Sequence, residues 1–170
     1  MNNSEILKQI IESRKSTYPK DYTGEEISQE ILDEILSSAQ FAPNHKKTKP
    51  WKFRVFRGEE KQQLAKEIQK IYKRTTPGDL FLEKKYLDFA DKIAKTDTVV
   101  TISVNFSGLL PEWEEIAATS MAVQNMYLTF PFFLWLNMSS VGYSLTGMAF
   151  SAFSQTLSAV PSSCRFATSI

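Results

Sequence analysis

Apolar residues recur at helical spacing over most of the first 128 positions, and the exceptions mark the strands. Ile6, Leu7, Ile10 and Ile11 form one stripe, so a first helix is expected over about Ser4–Ser13. Ile27, Ile31, Leu32, Ile35, Leu36 and Ala39 form a second. That helix is expected to begin near Thr23, where Thr23 and Glu26 have capping-box spacing, or at Ser28 as an alternative N-cap, and Pro43 stops it. Trp51, Phe53 and Val55 then alternate with Lys52 and Arg54, the pattern of a half-exposed strand ending at Gly58. Two amphipathic helices follow, over 59–74 with Leu64, Ile68 and Ile71 inward, and over 81–94 with Phe81, Leu82, Phe89 and Ile93 inward. Pro77 and Gly78 make the turn between them. The β-branched run Thr98–Phe106 reads as a central strand.

Pro111 suits the first position of a long helix, and Glu112, Glu114 and Glu115 suit its positive N-terminal dipole. Trp113, Ile116, Ala117, Met121, Gln124 and Leu128 follow its period, while Ala117, Ala118, Ser120 and Ala122 allow another backbone to come close. The order of elements is that of an α+β or α/β domain, long helices over a small sheet, and the length fits a single domain across 1–170.

Charge changes the picture at one place. Lys plus Arg total 20 and Asp plus Glu 19, a balance that gives no electrostatic case for nucleic acid or an anionic membrane as partner. Every acidic residue lies at or before Glu115, and the only later charge is Arg165. The stretch 129–170 is therefore an atypical tail, and Pro131 is expected to break the long helix early. The tail has three readings: a reading-frame or cloning artefact, which is preferred; a diverged end; or a membrane-associated segment. The last is disfavoured because the apolar run Leu128–Leu136 falls short of the ~20 residues a span needs. The single cysteine, Cys164, excludes an internal disulfide framework and multi-cysteine metal sites, and fits a cytoplasmic location. The N-terminal segment lacks the unbroken apolar core of a secretory signal.

Three local features carry candidate chemistry. Ser13, Arg14, Lys15 and Ser16 set two cations beside hydroxyls at a helix end, a donor set that suits a phosphate, although a solvated basic helix end has the same composition. The loop Ala42-Pro43-Asn44-His45-Lys46-Lys47-Thr48-Lys49-Pro50-Trp51 places the only histidine among lysines, where it could surround an anionic or electron-rich ring or simply form a basic surface loop. Pro111 to Glu115 is the third, and by itself it is an ordinary helix start with an anchoring tryptophan. With no second histidine and no cysteine near His45, a zinc site is not expected. No G-x-S-x-G elbow, Walker A loop or G-x-G-x-x-G is present, so neither a P-loop nor a Rossmann site is indicated, and composition alone leaves a Ser-His-Asp triad open.

Taken together and in order, the three features resemble the compact, single-domain branch of the nitroreductase family, over about 6–128. Arg14, Lys15 and Ser16 match that family's Arg-Arg-Ser triplet, with Lys in place of the second Arg. Ala42 to Lys46 with Lys49-Pro50-Trp51 match its Ala-Pro-Asp-His-Lys and Gln-Pro-Trp segments, and Pro111 to Glu114 match a Pro-x-Trp-Glu segment. Phe41 stands where the branch often has an arginine, and Val141-Gly142-Tyr143 is only faintly like its Gly-aromatic segment. The resemblance implies an α+β three-layer sandwich, a small, mostly antiparallel sheet flanked by long helices, working as an intertwined homodimer. It implies FMN as cofactor, with Arg14, Lys15 and Ser16 on the phosphate and His45 and Lys47 at the flavin. It further implies ping-pong transfer from NAD(P)H to a small-molecule acceptor such as a nitroaromatic or quinone, with no protein group named as catalytic acid or base. Two alternatives stand beside it: a non-catalytic flavin-binding or dimerisation module that has lost turnover through its altered C-terminus, and a general phosphate-ligand binder using Arg14 and Lys15.

Overall fold

The computed structural model describes residues 2–14 and 16–136, with the side chains of 130–136 excepted. Lys15, Val141-Gly142-Tyr143 and nearly all of the atypical tail lie outside the described residues.

Among the described residues the chain forms five α-helices, α1 (Asn3–Ser13), α2 (Gln29–Ser38), α3 (Gly58–Thr75), α4 (Glu83–Ala94) and α5 (Glu112–Leu136), with two strands, β1 (Trp51–Phe56) and β2 (Val99–Val104). The strands pair antiparallel in the register Trp51 to Val104 through Phe56 to Val99. This is the expected α+β class. Because side chains alternate along a strand, Trp51, Phe53 and Val55 share a sheet face with Val104, Ile102 and Val100. That face meets the core, in which Ile35, Ala39, Ala42, Trp51, Ala118, Ala122 and Met126 are buried, with Phe53 and Val100 packed against them. The other face carries Lys52 and Arg54, whose guanidinium sits 4.9 Å from the centroid of the Phe56 ring. Helix α5 packs on α2 and the sheet, α1 packs on α5, and α3 pairs with α4.

The caps decide between the alternatives for α2. The Ser28 hydroxyl accepts from the Ile31 N–H at 3.4 Å, whereas Thr23 accepts from the Glu25 N–H and forms no box with Glu26. Helix α1 starts with a capping box between Asn2 and Glu5. A knot of hydrogen bonds then ties three chain-distant segments. One oxygen of Asp97 accepts from the Ile27 N–H (3.1 Å), Arg57 Nη2 (3.0 Å) and the Thr98 hydroxyl (2.7 Å). Arg57 also donates to the Ile27 carbonyl and Lys61 to the Thr96 carbonyl.

Several expectations need correction. Helix α2 ends at Ser38, and a 3-10 turn (Ala39–Phe41) rather than Pro43 closes it. Strand β2 pairs with β1 alone among the described residues, so it is not a central strand there, and its burial is partial after Val99. Leu82 is exposed, because α4 begins after it. Pro131 does not end α5, which runs on to Leu136; a proline removes one backbone hydrogen bond, and the bonds of the turns on either side suffice to continue the helix. The structure also decides which face of α5 is inside. Glu115, Ala118, Thr119, Ala122, Val123 and Met126 are buried, while Trp113, Ile116, Ala117, Met121 and Gln124 are exposed. The helix is apolar on both sides, and the stripe that follows its period is for the most part the outer one. The stripe of α1 also stays open, with Leu7 and Ile11 about half exposed and no residue of that helix buried.

Candidate functional site

The site is built where the lysine-rich loop meets the start of α5. His45–Lys47 forms a 3-10 turn in which Lys46 takes φ 52°, and Lys47 and Lys49 follow at φ 55° and 43°. The left-handed region costs a non-glycine residue about 1–2 kcal/mol, so three such residues in four positions need compensation. Asn44 supplies part of it. Its Oδ1 accepts from the Lys49 N–H at 3.0 Å while its Nδ2 donates to the Ala42 carbonyl at 3.1 Å. Lys49 Nζ donates to Gln40 Oε1 at 3.0 Å, and the Pro50 carbonyl accepts from the Asn105 N–H at 2.7 Å. The loop is thus pinned at both ends, and Lys46 and Lys47 stand exposed between.

The start of α5 contributes two consecutive carboxylates that point different ways, since successive helical residues are about 100° apart around the axis. Glu114 turns outward, and its Oε2 lies 2.8 Å from His45 Nδ1. Glu115 turns inward and is 1% exposed. Its Oε2 accepts from the Ser107 N–H at 2.9 Å. Its Oε1 is buried, as is Thr48 Oγ1, and among the described residues neither meets a partner at hydrogen-bond geometry. Burial pushes the Glu115 carboxyl upward, but the Ser107 N–H and hydroxyl and the nearby Thr48 hydroxyl outweigh it and hold the group below the usual glutamate range. The pair therefore joins the 45–49 loop and the 105–110 loop to one helix end.

The phosphate candidates lie elsewhere, at and just beyond the C-terminus of α1. Arg14 Nη1 donates to Ser16 Oγ at 3.5 Å, so a cation and a hydroxyl stand side by side. Arg14 also sits near Tyr127, whose phenol is pushed up by burial and partly restored by that guanidinium. Glu114 and Tyr127 are 13 residues apart, roughly 20 Å along α5 at 1.5 Å per residue. The structure thus brings His45 and Glu114 together and places Arg14 with Ser16, but the first pair stands at the start of α5 and the second near its Tyr127, well along the helix. Lys47 is exposed on the loop, and Lys15 lies outside the described residues. Among the described residues no cluster of His, Cys, Asp and Glu could hold a metal, and no helix is long and apolar enough to cross a membrane.

Sequence reasoning missed the buried Glu115 carboxylate with its Ser107 donor, and the Asp97–Arg57 knot altogether. The signal for Glu115 was present in its helical phase with Ala118, Ala122 and Met126, but a carboxylate on an apolar face is read as noise until its donors are known. Two aromatic residues of the site region stand out for the opposite reason: Phe41 is 83% exposed and Trp113 67%.

Comparison with known proteins bears on the family and the fold. The "Nitroreductase family" model matches residues 11–131, well over half of the chain. The chain is 26% identical over 125 residues to "Putative NAD(P)H nitroreductase YfhC" of Bacillus subtilis (strain 168), covering 72% of this chain and 62% of that protein. Among solved structures, a nitroreductase-like family protein from Bacillus cereus superposes with a TM-score of 0.60 at 23% identity, over 76% of this chain and 64% of that one. A nitroreductase with bound FMN from Bacteroides fragilis NCTC 9343 gives 0.58 at 18% identity, over 78% and 66%. The chain thus spans under two thirds of the length of the first two. The matched region takes in Arg14 and Ser16, the His45 loop and the start of α5 up to Pro131, and with that span matched, the chain belongs to the nitroreductase family.

Proposed function

We propose that this chain is an FMN-dependent oxidoreductase that takes electrons from NAD(P)H and passes them, in ping-pong fashion, to a nitroaromatic, quinone or similar small acceptor. The observation that carries the reading is the hydrogen bond between His45 and Glu114, flanked in the chain by Phe41 and Trp113, aromatic residues left open to solvent. A polar anchor among uncovered aromatic surface suits a planar heteroaromatic ligand. The Arg14 and Ser16 pair is the donor set a phosphate monoester needs, and Lys15 would add a second cation. When bound, FMN supplies the hydride and electron chemistry, while the protein binds the phosphate through Arg14, Lys15 and Ser16 and meets the ring with His45 and Lys47.

The working form is a homodimer. Trp113, Ile116 and Met121 on α5, with Leu7 and Ile11 on α1, leave apolar surface of the kind that a second copy covers. An intertwined pair would also set the Arg14 group of one protomer against the His45 group of the other. No partner nucleic acid or membrane is proposed, and the location is the cytoplasm.

The test is optical. Purified full-length protein, loaded with FMN, should be yellow and should bleach on addition of NADH or NADPH. Colour without bleaching points to a flavin-binding module without turnover, and failure to load FMN at any concentration defeats the flavin reading. Arg14→Glu reverses charge at the phosphate site and should weaken FMN retention sharply; unchanged retention would place the phosphate elsewhere.

A further inference from the structure

His45 is 59% exposed, so packing does not fix its ring. Its orientation rests on Glu114, which is 26% exposed and sits on a rigid support. Glu114 donates its own N–H to the Pro111 carbonyl at 3.0 Å, and the next residue, Glu115, is locked inward by the Ser107 N–H. A carboxylate can only accept, so a 2.8 Å contact between Glu114 Oε2 and His45 Nδ1 requires the proton on Nδ1. In the neutral ring that leaves Nε2 bare, as an acceptor. The loop that carries His45 holds three lysines in left-handed backbone and is tied by Asn44, so the imidazole is presented from a constrained turn.

We propose that Glu114 is a positioning residue: it holds His45 in the Nδ1-protonated form so that Nε2 is offered as an acceptor to an N–H of the bound heteroaromatic ring. This rests on the flavin reading above for the identity of that ring. The fixed tautomer itself depends only on the two side chains.

His45 is the only histidine in the chain, so its imidazole nitrogens give a single set of signals in a long-range proton–nitrogen correlation spectrum of the 15N-histidine-labelled full-length protein. At pH 9, above the ordinary imidazole range, the ligand-free wild type should show a protonated Nδ1 and an unprotonated Nε2. Glu114→Ala should reverse the pattern towards the Nε2-protonated form. Glu114→Gln, whose amide oxygen still accepts, should restore the wild-type pattern and serves as the variant least able to disturb the fold. A wild type protonated on Nε2, or a Glu114→Ala spectrum unchanged from it, overturns the positioning role. For the ligand, losing one hydrogen bond of about 1.4 kcal/mol corresponds to a roughly tenfold rise in Kd for FMN. Glu114→Ala and His45→Ala should each show it, and the double variant should bind no more weakly than His45→Ala. Additive losses would mean that Glu114 does not act through His45. A wild type that binds no FMN sinks the flavin identity, while the tautomer measurement still decides the positioning role by itself.

Discussion

Replacing Asp97 tests whether the fold is held by the knot that the sequence did not reveal. The carboxylate is 20% exposed and Arg57 32%, so both are partly shielded from water. Asp97→Ala removes the acceptor of three hydrogen bonds, from the Ile27 N–H, Arg57 Nη2 and the Thr98 hydroxyl. Hydrogen bonds to a charged group contribute about 1.5–3 kcal/mol each, but the three are not additive and water can reach the vacated donors. The expected loss is therefore about 2–4 kcal/mol, a large share of the ~5–15 kcal/mol that stabilises a typical domain. Asp97→Asn keeps one acceptor oxygen and loses the charge, so about half of that loss is expected. Urea unfolding followed by tryptophan fluorescence at fixed protein concentration measures it, and the slope should be unchanged. Glu67→Ala, which breaks an exposed pair with Lys70, is the control and should cost less than about 0.5 kcal/mol.

The same residue makes a pH prediction. Burial pushes the Asp97 carboxyl up, but the Thr98 hydroxyl, the Arg57 guanidinium and the Ile27 N–H outweigh it and hold the group below its ordinary 3.8. A group depressed in the folded state contributes stability above its unfolded value, and that contribution is lost as pH falls through the folded value. Wild type should therefore lose stability below about pH 4, and Asp97→Asn should flatten that part of the profile. A cost for Asp97→Ala no larger than that of the Glu67→Ala control, or identical acid limbs in wild type and Asp97→Asn, would refute the reasoning.

Other consequences follow from packing and surface. Met126 is fully buried between α5 and α2, so Met126→Ala should cost about 2–5 kcal/mol by denaturant midpoint; a surface-like cost would mean that the contact is not formed. Ser28→Ala removes the N-cap of α2 and should cost about 0.5–2 kcal/mol, whereas Thr23→Ala should be nearly neutral in the same assay. Met121→Glu puts a charge on the open face of α5 and should convert the proposed dimer to monomer in light scattering, and an unchanged mass would move the interface elsewhere.

Local chemistry was legible in the sequence. The alternation at Trp51, Phe53 and Val55 located β1, Ser28 was available as the cap of α2, and Pro111 with its acidic neighbours located the start of α5, because each signal depends on residues within one or two turns of one another. The resemblance of three short segments to one family was equally a property of sequence, and it survived. What the sequence could not choose was the inner face of α5, where Ile116 and Met121 make as good a stripe as Ala118, Ala122 and Met126. A helix that is apolar on two sides has no local reason to prefer either.

Tertiary structure made that choice and three others. It paired His45 with Glu114 across 69 positions, buried Glu115 against Ser107, and drew Ile27, Arg57 and Asp97 into one cluster. Each is a contact between polar groups whose value depends on exclusion from water and on a partner delivered by another element. Hydrophobic periodicity reports which residues avoid water, but not which donor will meet which acceptor once they do, and that is settled only when the helices have closed on the sheet.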